Sequence, residues 1–332
     1  MTTGQSVDGV LVQWGERLFY PPNRIVKADL TPRLDTLTRR KAAVIRKRIE
    51  ALVVRHAPEV IVKVAGGGRG MRAIAAQFNY ITRNASLEIE DDRGVRSVGK
   101  EALRDLVDQW RYGGALIDEV SWRREALNVT LSMPRGVDPD RVLQAARAFA
   151  RAELAGSRYV FALHRDQAHP HVHLIVRAQS RSGERLNVWT ERQRWRESFA
   201  TQLRHLGVDA EATSQPCRGE NRKAEPAWRR QARATRNLAG EEAPKKSGDR
   251  YYTNRVEVMQ AWAHIMTALS KSSDAQERQL AQKVAAFVRD TPFVVEAMGP
   301  RDIQRVPGAQ TRADRSRDVE VQRSRAGPEI EW

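Results

Sequence analysis

The chain has 332 residues, enough for one large domain or two small ones with a buried core. Its 57 Lys and Arg residues against 41 Asp and Glu residues give a formal net charge of +16. This excess favours an acidic partner, nucleic acid in the first place and an anionic membrane surface as the alternative. No apolar run of about 18 residues occurs, so we expect no transmembrane helix.

The compartment is indicated by the cysteine count and by the start of the chain. A single cysteine, Cys217, excludes an internal disulfide and a cysteine-rich zinc site. Residues 1–8 lack the basic and apolar regions of a secretory signal. We therefore expect the protein in a reducing cytoplasm.

The N-terminal segment is predicted to be irregular to about residue 30 and then to form a basic helix. Thr31 and Pro32 supply an N-cap and a first helical residue. Residues 33–55 contain eight Lys or Arg and two acidic residues, so this helix either has a solvated basic face or contacts DNA. Its predicted apolar stripe comprises Leu34, Leu37, Val44, Ile45, Ile49 and Leu52.

A strand, a glycine-rich turn and a helix are predicted next, at residues 60–64, 66–70 and 71–82. The turn either binds phosphate through its backbone N–H groups or is a plain connection. The helix has a predicted buried stripe, and Tyr80 projects nearly opposite its centre. The stripe consists of Met71, Ile74, Ala75, Phe78 and Ile81.

The rest of the first two thirds of the chain alternates between short strands and helices. Strands are predicted at residues 87–90, 128–133, 159–164 and 171–176 and near 186–189, and helices at residues 100–111, 138–154 and 191–206.

Histidines are concentrated in one ten-residue stretch of the chain. Four of the seven histidines lie between His164 and His173. His171 and His173 alternate with apolar residues, so on a strand they share one face and stand about 6.6 Å apart. Residues 165–170 have the length of a hairpin connection, which would place His164 beside them.

This arrangement predicts a metal site. We expect His164, His171 and His173 to bind one divalent cation as neutral imidazoles and to leave coordination positions open, which is typical of a catalytic site. The alternative is that one or more of these histidines only form hydrogen bonds in a polar loop. Because the hairpin is antiparallel, we expect an α+β fold, with a mixed, largely antiparallel central sheet and flanking helices, over a doubly wound parallel fold.

Beyond residue 215 the composition becomes strongly basic. A helix is predicted at residues 254–288. From residue 300 the chain is poor in apolar residues, which predicts disorder. The predicted organisation is an N-terminal extension with the basic helix (1–57), an α+β domain with the histidine cluster (58–222), a basic linker (223–250), a helical segment (251–292) and a disordered tail (293–332).

A histidine metal site, a basic chain and an exposed tyrosine suggest phosphodiester chemistry. A cation can act as a Lewis acid on a phosphate oxygen, and a tyrosine can attack phosphorus and form a covalent intermediate. Tyr80 is the preferred candidate. Tyr20 lacks a strand, glycine and helix context, Tyr112 ends a helix before two glycines, and Tyr159 lies inside a strand.

The motifs resemble those of conjugative relaxases, the HUH endonucleases that nick plasmid DNA at an origin of transfer. Residues 164–176 are similar to the third motif of the class that includes the Ti-plasmid border nuclease. Residues 60–68 and 77–83 are similar to the first motif, and residues 131–136 to the second. The resemblance covers about residues 58–215, although about 57 residues precede the first matching strand, where the family has fewer.

The resemblance implies a role for individual residues. Tyr80 is the nucleophile, and Ser132 matches a serine that contacts DNA. Asp166 either accepts a proton or orients a ligand histidine, while Ala168 stands where some relatives have an acid. His169 is left open as a fourth ligand or a donor to the ligands, and Arg83 as a contact to DNA or to the ligands. The implied ion is Mg or Mn, whereas three imidazoles also suit Zn.

The implied function is initiation of conjugative transfer. The protein would nick single-stranded or extruded DNA through Tyr80, remain on the 5′ phosphate, later rejoin the strand, and pilot it to a type IV secretion channel. Auxiliary relaxosome proteins and a secretion coupling protein are the implied partners. A related replication initiator or transposase is an alternative, and so is a noncatalytic DNA-binding accessory protein with a structural metal.

Overall fold

The computed structural model describes residues 6–20, 36–165, 169–220 and 245–303. These residues form two compact units. One comprises the described parts of Met1–Arg55 and Ser214–Trp332, and the other is His56–Thr213.

The unit His56–Thr213 is built around a six-stranded sheet. Its strands are β1 (Ile61–Val64), β2 (Ile89–Asp91), β3 (Arg96–Ser97), β4 (Ala126–Ser132), β5 (Tyr159–His164) and β6 (His171–Arg177). Their spatial order is β1-β4-β6-β5-β2-β3, and each neighbouring pair is antiparallel. The predicted α+β class with a largely antiparallel central sheet is confirmed.

The described helices are α1 (Val7–Phe19), α2 (Thr36–Val53), α3 (Met71–Ile81), α4 (Lys100–Tyr112), α5 (Pro139–Glu153), α6 (Val188–His205), α7 (Asp249–Ser270), α8 (Ala275–Arg289) and α9 (Pro292–Ile303), with a 3₁₀ turn at Pro216–Arg218. Helices α3 to α6 belong to the sheet-containing unit. The others and the 3₁₀ turn form the second unit.

Alternation along the central strands separates two layers of core. Val172, Leu174 and Val176 pack with residues of α5 and α6 on one face of the sheet. Ile175 packs with residues of α3 and α4 on the other face. Because alternate residues of a strand share a face, His171 and His173 lie on the same face as Ile175, the face that α3 and α4 cover.

The expectation of an irregular N-terminal segment is wrong for residues 7–19, which form α1. The Ser6 side chain accepts a hydrogen bond from the Gly9 N–H at 3.1 Å and so caps the helix. Leu11, Leu18 and Phe19 are buried in a core that also contains residues of α2, α7 and α8. This helix is therefore stabilised by packing against helices distant in sequence. Residues 21–30, the rest of the segment predicted to be irregular, lie outside the described residues.

The predicted basic helix is present as α2, but its buried face differs from the prediction. Ile45, Ile49 and Leu52 are buried together with Ala42, whereas the side chains of Leu37 and Val44 are 60% and 53% exposed. A stripe through residues 42, 45, 49 and 52 follows helical spacing and leaves positions 37 and 44 on its flanks. The predicted cap at Thr31 and Pro32, and the stripe residue Leu34, lie outside the described residues.

Three further predictions are corrected. The short strand near residues 186–189 is absent, because α6 begins at Val188. The helical region 254–288 is two helices, since the Asp274 side chain caps α8 by accepting from the Gln276 N–H at 2.7 Å. Helix α9 occupies the start of the segment predicted as disordered from residue 293, and residues 304–332 lie outside the described part.

The predicted basic linker falls mostly in residues 221–244, also outside the described part. Within the residues that the structure describes, no helix combines the length and apolar character needed to cross a membrane.

Candidate active site

The hairpin of β5 and β6 assembles three histidines at one end of the sheet. The register pairs His164 directly with His171, and His173 with Ala162. Their ring centroids are 4.5 to 5.0 Å apart. One nitrogen from each ring lies within 4.8 Å of the corresponding nitrogens of the other two.

Backbone carbonyls determine which nitrogen of two of these rings is available as a ligand. His171 Nδ1 lies 3.0 Å from the His169 carbonyl oxygen, and His164 Nε2 lies 2.8 Å from the Ile81 carbonyl oxygen. A carbonyl oxygen only accepts, so these ring nitrogens donate. His171 Nε2 and His164 Nδ1 then each keep a lone pair that can accept a hydrogen bond or bind a metal ion. His169 is thus placed beside the site through its backbone, and its side chain is exposed.

The donor set fits a divalent metal ion. Two ligands of one ion are separated by at most twice the metal–nitrogen bond, about 4.2 Å, and these nitrogens already lie within 4.8 Å of one another without an ion. His164 and His171 are buried and His173 is partly exposed, so a bound ion would be open to solvent on one side. Neutral imidazole is a ligand for several first-row ions. The triad can therefore hold one divalent ion while leaving room for a substrate oxygen.

Helix α3 brings Tyr80 to the triad. Met71, Ile74, Phe78 and Ile81 are buried in the layer beneath α3, whereas the Tyr80 side chain is 60% exposed. The Tyr80 ring centroid lies 5.7 Å from that of His173 and 6.5 Å from that of His164. The exposed tyrosine of α3 and the histidine cluster thus belong to one site.

The competing tyrosines lie elsewhere. Tyr159 is buried on the opposite face of the sheet, and burial raises the pKa of its phenol. Tyr112 is at the C-terminal end of α4 and is 68% exposed. Tyr20 is the C-cap of α1 and belongs to the other unit. Within the unit His56–Thr213, Tyr80 is the candidate tyrosine whose ring lies against the histidines.

Arg83 adds a positive charge between the tyrosine and the triad. Its guanidinium carbon lies 5.9 Å from the Tyr80 ring centroid, and its Nη2 lies 3.4 Å from His164 Nδ1. Because a guanidinium only donates, it uses the same lone pair of Nδ1 that a metal ion would need. Arg83 and a metal ion therefore compete for this nitrogen.

The turn that carries Arg83 has an unusual backbone. Arg83, Asn84 and Ala85 are consecutive non-glycine residues with φ of 51°, 57° and 66°. The Thr82 hydroxyl supports the turn, because its Oγ1 accepts from the Ala85 N–H at 3.0 Å and donates to the Phe78 carbonyl at 2.7 Å. Non-glycine residues in this region each cost about 1 to 2 kcal/mol. The protein thus maintains backbone strain next to the triad, which is common at functional sites.

Two hydroxyl residues of β4 lie beside the histidines, on the strand next to β6. Ser132 pairs with His171 and Thr130 with His173 across β4 and β6. Ser132 Oγ donates to the Pro170 carbonyl at 3.2 Å, and Thr130 Oγ1 lies 3.4 Å from His173 Nδ1. Thr130 was not singled out from the sequence, although strand alternation puts residues 130 and 132 on the same face. Asp166, the predicted proton acceptor or orienting carboxylate, and Ala168 lie outside the described residues.

The glycine-rich turn before α3 is explained by close packing. A Cβ on Gly67 would lie 2.1 Å from the Ala126 carbonyl oxygen, and Gly70 has φ of +91°. The N–H groups of Met71 and Arg72 already donate to the carbonyls of Asp118 and Glu119, at 2.8 and 3.3 Å. The start of α3 is therefore satisfied by the protein, which favours a plain connection over a phosphate-binding turn.

The fold and the site define the class. A tyrosine at the end of a helix stands against three histidines presented by an antiparallel hairpin, which is the arrangement expected for a relaxase-type nuclease. A model of the family described as "Relaxase: MobA/VirD2-like, nuclease domain" matches residues 80–207. This match to a nuclease-domain model covers Tyr80 and the histidine hairpin, and the resemblance inferred from the motifs is confirmed.

Curated relatives agree with this assignment. The chain is similar to the T-DNA border endonuclease VirD2 of Rhizobium radiobacter, with 29% identity over 189 residues, covering 48% of this chain and 43% of the relative. It is also similar to VirD2 of Rhizobium rhizogenes and of Agrobacterium fabrum strain C58, each with 26% identity over 136 residues, covering 36% of this chain and 30% of the relative. The chain thus matches less than half the length of these relatives.

Proposed function

We propose that this protein nicks and rejoins one DNA strand at an origin of transfer through a covalent 5′-phosphotyrosine on Tyr80, and so initiates conjugative DNA transfer. The observation that carries this proposal is the position of the Tyr80 ring against the rings of His164 and His173. A nucleophile beside a set of metal-binding side chains supports covalent transesterification at a phosphate, because the covalent intermediate divides one difficult step into two easier ones.

The proposed reaction has two steps, cleavage of the strand and its later rejoining. The Tyr80 oxygen attacks the scissile phosphorus, the bond from phosphorus to the 3′ oxygen breaks, and the products are a 5′-phosphotyrosine and a free 3′ hydroxyl. The phenolic proton passes to a base, for which Asp166 is the candidate, and the departing 3′ oxygen takes up one proton. Attack by a 3′ hydroxyl on the phosphotyrosine reverses the cleavage reaction and rejoins the strand without a nucleotide cofactor.

The side chains of the chain itself have separate tasks in this proposal. His164, His171 and His173 would hold the divalent ion, which would supply Lewis-acid polarisation of a phosphate oxygen. The Arg83 guanidinium, beside Tyr80, is placed to contact a phosphate oxygen and to favour the phenolate electrostatically. Ser132 keeps the end of the hairpin connection in place through Pro170. Mg or Mn is the ion that the family resemblance implies, with Zn as the alternative.

The proposed substrate is single-stranded or extruded DNA, in agreement with the charge of +16. The similar proteins VirD2 are named as T-DNA border endonucleases, and DNA as the substrate agrees with those names. We propose that the protein acts in the bacterial cytoplasm with auxiliary relaxosome proteins, and that a secretion coupling protein receives it with the attached strand.

The direct test is formation of a covalent adduct. The full chain is incubated with a divalent ion and labelled single-stranded oligonucleotides tiled across a candidate transfer origin, and an adduct resistant to SDS is isolated and its peptide mapped. We expect the adduct on Tyr80, its loss in Tyr80→Phe, and wild-type yield in Tyr112→Phe, which alters another exposed tyrosine. An adduct that persists in Tyr80→Phe contradicts the role of this residue. Metal binding without any cleavage would indicate a noncatalytic DNA-binding protein.

A further inference from the structure

A second cluster of charge lies on the same face of the sheet as the histidines, at the opposite end of β6. Arg177 is the last residue of this strand, six positions after His171 and therefore about 20 Å away along the strand. The backbone N–H of Arg177 donates to the backbone carbonyl of Arg158 at 2.8 Å, which extends the pairing of Tyr159 with Val176 by one residue. The two arginines are thus direct cross-strand neighbours.

Like charges directly opposite each other on a sheet are destabilising. Here the effect is stronger than on an open surface, because Arg177 is buried. Burial lowers the pKa of the Arg177 guanidinium, and the nearby Arg158 lowers it further. Two adjacent guanidiniums, one of them buried, therefore require compensation by negative charge.

The described residues supply only part of that compensation. Arg177 donates to the carbonyls of Trp110 and Ala115, and Arg158 donates to the Gln109 carbonyl at 2.9 Å. These carbonyls surround the C-terminal end of α4, where the helix dipole carries about half a negative charge. Within the described part of the chain, no carboxylate forms an ion pair with either arginine. Glu125, whose negative charge raises the pKa of Arg177 against the effect of burial, is paired with Arg123 and Arg185.

The two arginines line a cavity of about 420 Å³. Its wall includes Gly113 and Gly114, whose missing side chains leave room for the guanidiniums, since a Cβ on Gly113 would lie 2.4 Å from Arg158 Nη1. Arg181, which is paired with Asp92, and the hydroxyl residue Ser180 complete a lining rich in hydrogen-bond donors. Each guanidinium has five N–H donors, so the carbonyls leave most of them for a ligand.

We propose that this cavity is an anion-binding site, separate from the nuclease site, that takes a phosphate group between Arg158 and Arg177. A phosphate fits because it offers several acceptor oxygens to a pair of guanidinium forks. It supplies the negative charge that the arginine pair lacks. The phosphate can belong to the backbone of a bound DNA strand or to a free anion, and the two sources are separable by experiment.

The test measures binding by the full chain with EDTA present, so that it does not depend on metal binding or on cleavage. Inorganic phosphate is titrated calorimetrically at constant ionic strength into wild type, Arg158→Gln and Arg104→Gln. Arg104 is an exposed residue of α4 outside the cavity, and its replacement removes the same charge. We expect phosphate to bind wild type and Arg104→Gln equally, and Arg158→Gln about tenfold more weakly, since hydrogen bonds to charged groups are lost.

A second measurement identifies the source of the phosphate. The affinity of each protein for a single-stranded oligonucleotide is determined as a function of salt concentration. If a strand phosphate occupies the cavity, the slope of log K against log salt decreases in magnitude by about 0.7 in Arg158→Gln only. Loss of phosphate binding with an unchanged slope identifies a free anion. Equal phosphate binding by all three proteins overturns the proposal and leaves the nuclease assignment untouched.

Discussion

His164 donates a hydrogen bond from Nε2 to the backbone carbonyl of Ile81, and the two atoms are 2.8 Å apart. Ile81 follows Tyr80 directly and is the last residue of α3. The same ring therefore offers Nδ1 to the metal site and holds the end of the helix that carries the tyrosine. One buried histidine links the position of the proposed nucleophile to the metal-binding cluster.

This dual role predicts that His164→Ala is more damaging than His173→Ala. Both variants lose a ligand, but only His164→Ala leaves the buried Ile81 carbonyl without this donor, which costs about 1 to 3 kcal/mol, in addition to a cavity. Urea unfolding in EDTA, where metal binding cannot contribute, measures the difference. Equal free energies of unfolding for the two variants would show that the bond to Ile81 does not stabilise the end of α3.

Metal binding should stabilise the folded protein through the triad. A ligand present at about 100 times its Kd adds about 2.7 kcal/mol to the free energy of unfolding. We expect Mn²⁺ to raise the Tm of wild type and of His205→Ala, which alters an exposed histidine at the end of α6. The shift should disappear in His173→Ala. A shift of wild-type size in that variant would place the ion elsewhere.

The left-handed turn after α3 should be sensitive to side-chain branching at position 84. Asn84 is exposed and has φ of 57°, so Asn84→Val should destabilise the protein by about 1 to 2 kcal/mol through backbone strain alone. Asn84→Gly should be nearly neutral, because glycine adopts this conformation readily. Thermal unfolding compares the two variants, and a tolerated valine would indicate that the turn adopts another conformation in solution.

Ser132 should stabilise the hairpin connection rather than bind the ion. Ser132→Ala removes the bond to the Pro170 carbonyl at 3.2 Å and should reduce the free energy of unfolding by about 1 kcal/mol. The same two quantities, the free energy of unfolding and the metal affinity, are measured for Thr130→Val, which keeps the shape of the side chain near His173. We expect metal affinity, measured by calorimetry, to change little in Ser132→Ala, and a loss as large as that of His173→Ala would assign Ser132 to the ligands.

Much of the site could be predicted because its residues lie on short, regular elements. The period of two along residues 171–176 separates the histidines from the core residues of β6, and the period of 3.6 along α3 places Tyr80 on the exposed side. A hairpin connection of six residues leaves little choice of register, so His164 falls opposite His171. These features are local in sequence, and local patterns determine them.

Features that depend on contacts between distant segments were not predictable. Helix α1 has little local signal beyond its cap, and it is stabilised by a core that includes Trp262 and Ile265 of α7, more than 200 residues later. Thr130 and the pair Arg158 and Arg177 become notable only through cross-strand neighbours.

The sequence by itself determined the chemistry of this protein: a histidine cluster with strand periodicity, an exposed helical tyrosine and an excess of positive charge. Only the tertiary structure decided which residues meet. It placed Tyr80 against histidines more than 80 positions away, because α3 packs its buried stripe on the sheet face that presents them. It also brought Arg158 and Arg177 together at the other end of the same face, since side-chain neighbours across a sheet are set by register and not by spacing along the chain.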